Sequence, residues 1–487
     1  MKITNNFLTD STKVCVLLAA LAIQACATNP VTGRSDFVMM SEQQEVNLGK
    51  SYHQQILKEY SIYEAPGLQA YVDRIGQDLA TNSHRPQLDW TFTLLDSPEV
   101  NAFATPGGYV YITRGIMAYM QDEADLAGVI GHEIGHVTAR HGVRQQAQST
   151  LAGIGTAAVA VATGSGELAN LTSQLSTAMV RGYGRTYELQ SDGLGAEYLA
   201  HTGYDPQNMI DVVRVLKNQE LFELELAREE GREPRVYHGV FSTHPDNDTR
   251  LREVVAAAEQ FKSTTVTRPD DGDFLLLADG MAYGPSESQG IVQGNALYHK
   301  AMDFTVNLPE GWTLHNLPDR IVGVSGNETQ IIQILPANLE GKSGQAFLAE
   351  QFTDFSGGEV LNLSGAQGYT GLASVDAGSG QRLASRVAVV NRAPAPSFQM
   401  AGYGENQVPN NAVLYIARSI RSLNAEEQKL ATGKKIVVIS ARRGDTFAKL
   451  AQESVIDKYA EQKLRLLNNM YPDGEPAVGQ LIKTVTQ

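Results

Sequence analysis

Two hydrophobic patterns in the first half of the chain predict helices around a small sheet. Residues 122–141 carry a stripe of leucine, isoleucine and valine at spacings of three and four, which predicts an amphipathic helix. Residues 88–95 alternate apolar and polar side chains, which predicts a strand, and a second β-rich run at 109–112 follows a Pro-Gly-Gly turn. We therefore expect residues 41–262 to form one mainly helical domain with a small sheet.

The pattern changes after a polar linker at 263–273. Short apolar runs at 304–312 and 331–335 are separated by glycine and asparagine turns, which is typical of strands. Residues 275–425 are expected to form an α+β or mostly β domain, and no catalytic constellation is visible in it. A scaffold or partner-binding role is the favoured interpretation of that region, and the fold class of the whole chain is predicted as α+β.

The predicted helix at 122–141 carries the most informative chemistry, the sequence His132-Glu133-Ile134-Gly135-His136. Residues four apart on a helix point the same way, so both imidazoles can share one Zn²⁺ at about 2.0–2.1 Å. Glu133 projects beside that face, where it can take a proton from an attacking water. The pattern indicates metal-assisted peptide hydrolysis. The alternative is a solvated helix that carries two histidines by chance.

Three glycines lie on another strip of the same helix, at Gly128, Gly131 and Gly135. Each costs a helix interior about 1 kcal/mol relative to alanine. Their alignment predicts that another backbone packs closely against this strip.

Two histidines need a third protein ligand, since catalytic zinc commonly takes three. The first candidate is Glu188, and Asp192 lies four residues on, where it could accept a hydrogen bond from the far nitrogen of a ligand histidine. The alternative is that both are surface acids on a solvated helix. Glu167 is a rival ligand without a supporting acid, whereas His141 projects about 140° from His136 and is not expected to bind.

The first residues are typical of an export signal. Lys2 and Lys13 precede an uncharged apolar run at 14–23, which is shorter than the roughly 20 residues of a membrane span. The run ends in Ile23-Gln24-Ala25-Cys26, which resembles a bacterial lipobox. The alternative is an ordinary secretory signal followed by an incidental cysteine.

The lipobox reading predicts a signal peptide at 1–25, lipidation of Cys26 and a lipid-anchored linker at 26–40. Ala27 in place of aspartate favours the outer membrane. The chain has two cysteines and Cys15 would leave with the signal, so no disulfide is expected. The net charge of −15 argues against nucleic-acid binding and against a polybasic membrane patch.

Four ordered motifs resemble the HtpX-like and CAAX-prenyl-endopeptidase-like zinc metalloproteases over roughly residues 41–262, in particular a periplasmic lipoprotein branch. The motifs are residues 101–108, His132 to His136 with Arg140-His141, Glu188 with Asp192, and Thr243-His244-Pro245 with Arg250. The resemblance implies a zincin-type fold and a gluzincin site. One Zn²⁺ would be held by His132, His136 and Glu188, with Glu133 as the general base.

The resemblance also implies two substrate-handling elements. The strand formed by Gly108, Tyr109, Val110, Tyr111 and Ile112 would be an edge strand that pairs with the substrate backbone. His244 would lie in a loop near the metal, where it either stabilises the oxyanion or plugs the open zinc position. The alternative is that His244 makes only a structural hydrogen bond.

The last segment, 434–487, resembles a LysM-type module, a small βααβ unit that often binds peptidoglycan. The resemblance rests on 444–447, 450–451, 466–469 and 478–483, and the stretch between its halves is longer than usual. Peptidoglycan is therefore a possible partner.

Taken together, the sequence predicts a zinc-dependent endopeptidase, lipid-anchored to the outer membrane in the bacterial periplasm. Its expected substrates are misfolded or unassembled outer-membrane or periplasmic polypeptides. The competing hypothesis is a non-proteolytic, lipid-anchored chaperone or peptidoglycan-binding tether.

Overall fold

The fold is that of a computed structural model of the 487-residue chain. The structure describes residues 26–38, 40–147, 184–234, 247–261, 265–268, 273–363, 365–376, 382–404 and 410–487. The predicted signal at 1–25, the rival ligand Glu167 and His244, which was expected in a loop, lie outside the described residues.

The first half of the described chain is mainly helical with a small sheet, as predicted. Its elements are β1 (Cys26–Thr28), β2 (Ser35–Phe37), α1 (Glu42–Glu59), α2 (Pro66–Thr81), β3 (Thr91–Leu95), β4 (Ala102–Thr105), β5 (Tyr109–Thr113), α3 (Arg114–Met117), α4 (Glu123–Thr138), α5 (Arg185–Thr202), α6 (Asn208–Glu230), α7 (Asn247–Glu259) and α8 (Asp273–Ala278). One hydrophobic core joins α2, the sheet and α4 to α6.

The sheet of this domain has the order β3-β5-β4. β3 pairs with β5 in parallel, and β4 pairs with β5 in antiparallel orientation across a turn in which Gly107 and Gly108 have φ of 85° and 101°. The predicted strand at 88–95 begins only at Thr91. Thr93, expected on a polar face, is buried because helices cover the sheet.

The predicted helix at 122–141 is shorter than expected. The Asp122 side chain accepts a hydrogen bond from the Asp125 amide at 2.7 Å and starts α4. α4 ends at Thr138, and Arg140 adopts a left-handed conformation with φ of 57°. A separate helical segment, 141–147, follows. His141 therefore begins a new helix and does not continue the phase of α4.

The segment predicted as a linker, 26–40, forms a hairpin of β1 and β2 that packs against the domain. Asn29 and Val38 are buried in it. An Asp36 carboxylate oxygen lies 3.0 Å from Nε of Arg144, and the Arg140 guanidinium donates to the Met40 carbonyl. The predicted attachment point, Cys26, thus belongs to a hairpin that is fixed to the protein body.

The second half of the chain contains two further sheets and a small terminal unit. Its elements are β6 (Ala282–Tyr283), β7 (Ile291–Gln293), β8 (Ala296–His299), β9 (Phe304–Asn307), β10 (Thr313–Asn316), β11 (Ile321–Val324), β12 (Gln330–Ala337), α9 (Gly344–Gln351), β13 (Ser356–Leu363), β14 (Ala366–Asp376), β15 (Arg382–Asn391), β16 (Ser397–Gly404), α10 (Asn410–Ser419), α11 (Ala425–Leu430), β17 (Lys434–Ser440), α12 (Phe447–Glu453), α13 (Ala460–Leu467) and β18 (Leu481–Thr486).

The accessory domain is built on a seven-stranded antiparallel sheet with the order β10-β11-β12-β16-β15-β14-β13. Helices α9 and α10 pack on this sheet, and β7, β8 and β9 form a second, three-stranded sheet. The predicted α+β class is confirmed. Two buried clusters form the core of this domain, separate from the core of the first domain.

A buried ion pair within the first domain makes hydrogen bonds to the start of the accessory domain. Nε of Arg114 lies 2.6 Å from a carboxylate oxygen of Asp96, and the guanidinium also donates to the carbonyls of Ala282 and Gly284. The Ser286 hydroxyl donates to the same carboxylate. Both charged side chains of the pair are almost fully buried.

The terminal unit, 434–487, has the βααβ order expected of the LysM-like segment, with β17 and β18 antiparallel. It does not have a core of its own. Phe447, Leu464 and Ile482 belong to the same buried cluster as the first domain. Nζ of Lys483 donates to the carbonyls of Ala118 and Met120 at 2.7 and 2.6 Å. The unit is thus an integral part of the first domain.

Among the described residues, no helix combines the length and apolar character that a bilayer crossing requires.

Candidate metal centre

The centre depends on a close approach of α4 and α5 at their glycines. A Cβ atom built on Gly131 would lie 3.4 Å from Cα of Gly195, and one on Gly135 would lie 3.2 Å from Cα of Ser191. Gly131 and Gly135 of the strip therefore face the backbone of α5, as the sequence predicted, whereas Gly128 faces side chains of α6. This contact brings Glu188, in the first turn of α5, next to the histidines of α4.

The three predicted ligands lie together in the structure. Nε2 of His132 and Nε2 of His136 are 3.0 Å apart, and the Glu188 carboxylate oxygens lie 3.5 and 3.4 Å from them. Ligand atoms 2.0–2.1 Å from a tetrahedral zinc ion lie about 3.3 Å from one another. The donor set and its spacing thus fit a zinc ion, and all three side chains are buried.

Asp192 lies behind His132, on the side away from the triangle. One of its carboxylate oxygens is 2.9 Å from Nδ1 of His132, which leaves Nε2 directed toward the other ligands. Burial opposes the charge of Asp192, but the Arg250 guanidinium and His132 outweigh it and hold the pKa of Asp192 below its usual value.

Arg250, on α7, connects the two acids of α5. Its guanidinium binds both oxygens of Asp192 at 2.9 and 2.7 Å, and a third nitrogen lies 3.4 Å from Glu188. Burial opposes its charge, yet the pKa of Arg250 is raised by Asp192 and then by Glu188 and Glu133. The sequence placed Arg250 in a motif without giving it a role. The structure shows that it compensates buried negative charge at the centre.

His141 supports the second histidine. Its Nδ1 lies 2.9 Å from Nδ1 of His136, and its Nε2 lies 3.0 Å from the Gln190 amide oxygen. Tyr187 stacks on its ring at a centroid distance of 4.4 Å. Burial lowers the pKa of His141 to about 4, so the neutral imidazole is the form present near neutrality. His141 is not one of the three clustered donors, as the sequence predicted, but it orients one of them.

Glu133 is buried beside the triangle, one residue after His132. Successive residues of a helix differ by about 100° in direction, so its carboxylate lies at the flank of the face that carries both imidazoles. The charge of Arg250 also acts on this carboxylate. An acid in this position can exchange a proton with a water held by the metal.

The prediction that 108–112 is an edge strand is wrong. β5 is the central strand of the described sheet, and its backbone pairs with β3 on one side and β4 on the other. Val110, Tyr111 and Ile112 are fully buried. β4 lies at the edge of this sheet and packs against α4. The local pattern indicated a strand correctly, but strand order depends on long-range pairing.

A buried pair of imidazoles with a carboxylate, and a glutamate beside them on the same helix, is the arrangement of a zinc-dependent peptidase. Residues 66–258, which include every residue of the centre, match Peptidase family M48. The match supports a metalloprotease of this family type in the first domain.

Similar proteins carry the names of proteases. The chain is 29% identical over 275 residues to the β-barrel assembly-enhancing protease of Escherichia coli K12, covering 53% of this chain and 54% of that protein. It is 30% identical over 129 residues to the mitochondrial metalloendopeptidase OMA1 of Arabidopsis thaliana, covering 26% of each. The chain thus spans about half the length of the bacterial relative. The matches support a zinc metalloprotease.

Proposed function

We propose that the chain is a zinc-dependent endopeptidase that hydrolyses misfolded or unassembled envelope polypeptides. The observation that carries this proposal is the buried triangle of His132, His136 and Glu188, whose spacing fits zinc and whose outer partners are provided by Asp192 and Arg250. A purely structural zinc site would have no need of the additional buried acid, Glu133.

A zinc ion bound at this centre supplies Lewis-acid polarisation of a carbonyl and increases the acidity of a water. Glu133 takes the proton of the attacking water and then delivers it to the leaving amine. Asp192 keeps His132 in the tautomer whose Nε2 is the metal-binding atom, and His141 fixes the ring of His136 in the same way. Arg250 binds Asp192 and helps to hold the pKa of that carboxyl below its usual value.

The substrate would lie along the edge strand β4, which replaces the strand predicted from the sequence. In the antiparallel pair the Thr113 amide donates to the Asn101 carbonyl. Hydrogen-bonded pairs alternate along two antiparallel strands. The backbone N–H and C=O groups of Phe103 therefore point toward β5, and those of Ala104 point away from β5, toward the open edge of the sheet. An extended chain paired there would be held by its backbone, which permits cleavage of varied sequences.

His244 is proposed to act at the metal from its loop, either on the oxyanion or as a plug of the open position. The two roles predict opposite results for His244→Ala. Proteolysis that rises in the variant supports the plug, and proteolysis that collapses with unchanged zinc content supports the oxyanion role. Unchanged proteolysis would leave only a structural hydrogen bond.

The location proposed for the protein is the periplasmic face of the outer membrane, with a lipid on Cys26. The export signal and lipobox support this, and the relative named β-barrel assembly-enhancing protease suggests an envelope substrate. Replacing Cys26 by serine should release the protein from the membrane fraction. Retention of Cys26→Ser in that fraction would contradict the anchor without affecting the peptidase proposal.

The catalytic proposal is tested with unfolded casein, the purified chain and a chelator. The chelator should abolish cleavage and added zinc should restore it. Glu133→Gln should keep stoichiometric zinc but lose hydrolysis by orders of magnitude, whereas the exposed control Glu59→Gln should retain both. Full proteolysis by Glu133→Gln would refute the assignment. Binding of casein without any cleavage by the wild type would favour the chaperone hypothesis.

A further inference from the structure

A cavity of about 440 Å³ lies between the first domain and the terminal unit. Its walls are formed by α6, the α3 region, the β6 region and α13 with the two residues before it. Apolar and aromatic side chains dominate these walls, among them Phe222, Leu226, Tyr459 and Leu466. Phe222 and Tyr459 meet edge to face at 6.1 Å. The volume lies in the range of small-ligand sites and suffices for one large side chain with its backbone.

Three hydrogen-bond donors of this cavity have no partner among the described residues. The side-chain nitrogen of Gln219 is buried without an acceptor. Lys463 is half-buried and Lys458 is exposed, and neither ammonium group makes a hydrogen bond or ion pair with the described part of the chain. Burial is the main cause that lowers the pKa of Lys463; Lys434 and Lys458 add to it, and the charge of Asp457 opposes it. A buried donor without an acceptor is costly, so a ligand that offers oxygen atoms is favoured here.

The other charged groups at the cavity compensate these lysines only in part, through the charge of Asp457 on Lys463. Arg232 binds Glu223 and Glu230, each at 2.6 Å, so the two carboxylates are already engaged by a cation. Arg114 is paired with Asp96. Asp457 contacts Lys434 at 2.7 Å. The lining therefore presents an excess of positive charge beside an apolar surface.

The cavity also lies at one end of the substrate path. Pro98 and Val100, which lead into β4, are part of its lining. A chain paired antiparallel to β4 would have its carboxyl end at this side, because β4 runs away from Val100. An apolar pocket with cationic donors is thus located where the C-terminal part of a bound chain would emerge.

We propose that this cavity binds the C-terminal residue of a polypeptide, with a large apolar or aromatic side chain against Phe222 and Tyr459 and its α-carboxylate on Lys463, Lys458 and Gln219. This inference rests on the proposed function and specifies its substrates as chains with a free, apolar carboxyl end. The terminal unit then acts as a recognition element for protein ends, because α13 and the segment before it supply both lysines.

The test measures binding by fluorescence anisotropy with zinc-loaded, full-length Glu133→Gln, which holds a chain without cleaving it. The probe is a labelled decapeptide ending in phenylalanine, made once with a free carboxylate and once as the C-terminal amide. We expect the free acid to bind at least about tenfold more tightly, in line with a charge-assisted contact. The double variant Lys458→Gln/Lys463→Gln should bind the free-acid peptide no more tightly than the amide. Lys50→Gln, an exposed lysine on α1, is the matched control.

Equal affinity for acid and amide, or an unchanged preference in the double variant, would overturn the proposal. Replacement of the terminal phenylalanine by serine should also weaken binding of the acid, and no effect would contradict the apolar pocket. Displacement of the probe by a peptidoglycan fragment at lower concentration than by the unlabelled peptide would assign the cavity to glycan and refute the proposal. Cleavage of casein by the wild type is measured separately, so failure here is distinguishable from failure of the peptidase proposal.

Discussion

Replacing Gly131 tests whether the close approach of α4 and α5 creates the metal centre. A Cβ atom at this position would meet Cα of Gly195 at 3.4 Å, which is ordinary van der Waals contact. Gly131→Ala should therefore be accommodated and should stabilise the helix by up to about 1 kcal/mol. A leucine side chain extends roughly 2.5 Å beyond its Cβ, and the backbone of α5 occupies that space.

Gly131→Leu thus forces α5 away from α4 by on the order of 2 Å, at an overpacking cost of about 1–3 kcal/mol. Glu188 moves with α5, whereas the two histidines stay on α4. Because coordination tolerates only about 0.2 Å, the carboxylate is lost as a ligand. Changes outside the ligand shell already reduce zinc affinity 10–100-fold, so we expect a loss greater than about 100-fold, or about 2.7 kcal/mol.

The assay is zinc affinity by chelator competition on the apo protein, accompanied by casein hydrolysis and thermal unfolding. Gly193→Leu is the matched control, because Gly193 lies on α5, the helix that Gly131→Leu displaces, and has open space around it. It should bind zinc like the wild type. Wild-type zinc affinity in Gly131→Leu would refute the reasoning, as would an equal loss in Gly193→Leu, which would indicate a general sensitivity of α5.

Two further predictions follow from buried charges. Asp192→Asn should lower zinc affinity 10–100-fold in chelator competition, whereas the exposed control Asp89→Asn should bind zinc like the wild type. Unchanged zinc affinity in Asp192→Asn would contradict the role of Asp192 in orienting His132. Burial lowers the pKa of Lys483 to about 7, so its folded form binds fewer protons than the unfolded chain between about pH 7 and 10.5. The free energy of unfolding should therefore rise with pH by up to about 1.4 kcal/mol per unit in the wild type but not in Lys483→Met. It is measured by urea unfolding from pH 7.5 to 9.5, and the same pH dependence in both proteins would contradict this. The pH range 7.5–9.5 stays above the pKa of the buried neighbour Asp125, which burial raises to about 7. Below that pH, Asp125 would make the free energy of unfolding fall as pH rises.

The parts of the centre that sequence patterns predicted are those set by helical spacing. His132 and His136 are four residues apart on α4, Glu188 and Asp192 are four apart on α5, and helix geometry alone places each pair on one face. The glycine strip likewise indicated a close neighbour, although it did not identify α5. Such inferences succeed because they depend on residues within one or two turns.

Other features depend on contacts between distant segments and could not be read from a local pattern. The run at 109–112 is a strand whether it lies at the centre or the edge of a sheet, and only pairing with β3 and β4 decides this. Arg250 and His141 act through residues on other elements. The left-handed Arg140 resets the helical phase, so an angle counted from His136 could not place His141.

The catalytic helix is intrinsically weak, which explains why remote segments hold both of its ends. Its three glycines together cost about 3 kcal/mol of helix propensity, a cost imposed by close contacts with α5 at Gly131 and Gly135 and with α6 at Gly128. At its start, Lys483 of the terminal unit binds the carbonyls of Ala118 and Met120, just before the cap Asp122. At its end, Arg85 donates to the Val137 carbonyl and, with Arg140, to Glu45 of α1. Most helical stability in proteins comes from tertiary contacts, and here these contacts extend to residue 483. The βααβ unit is therefore part of the framework of the metal centre.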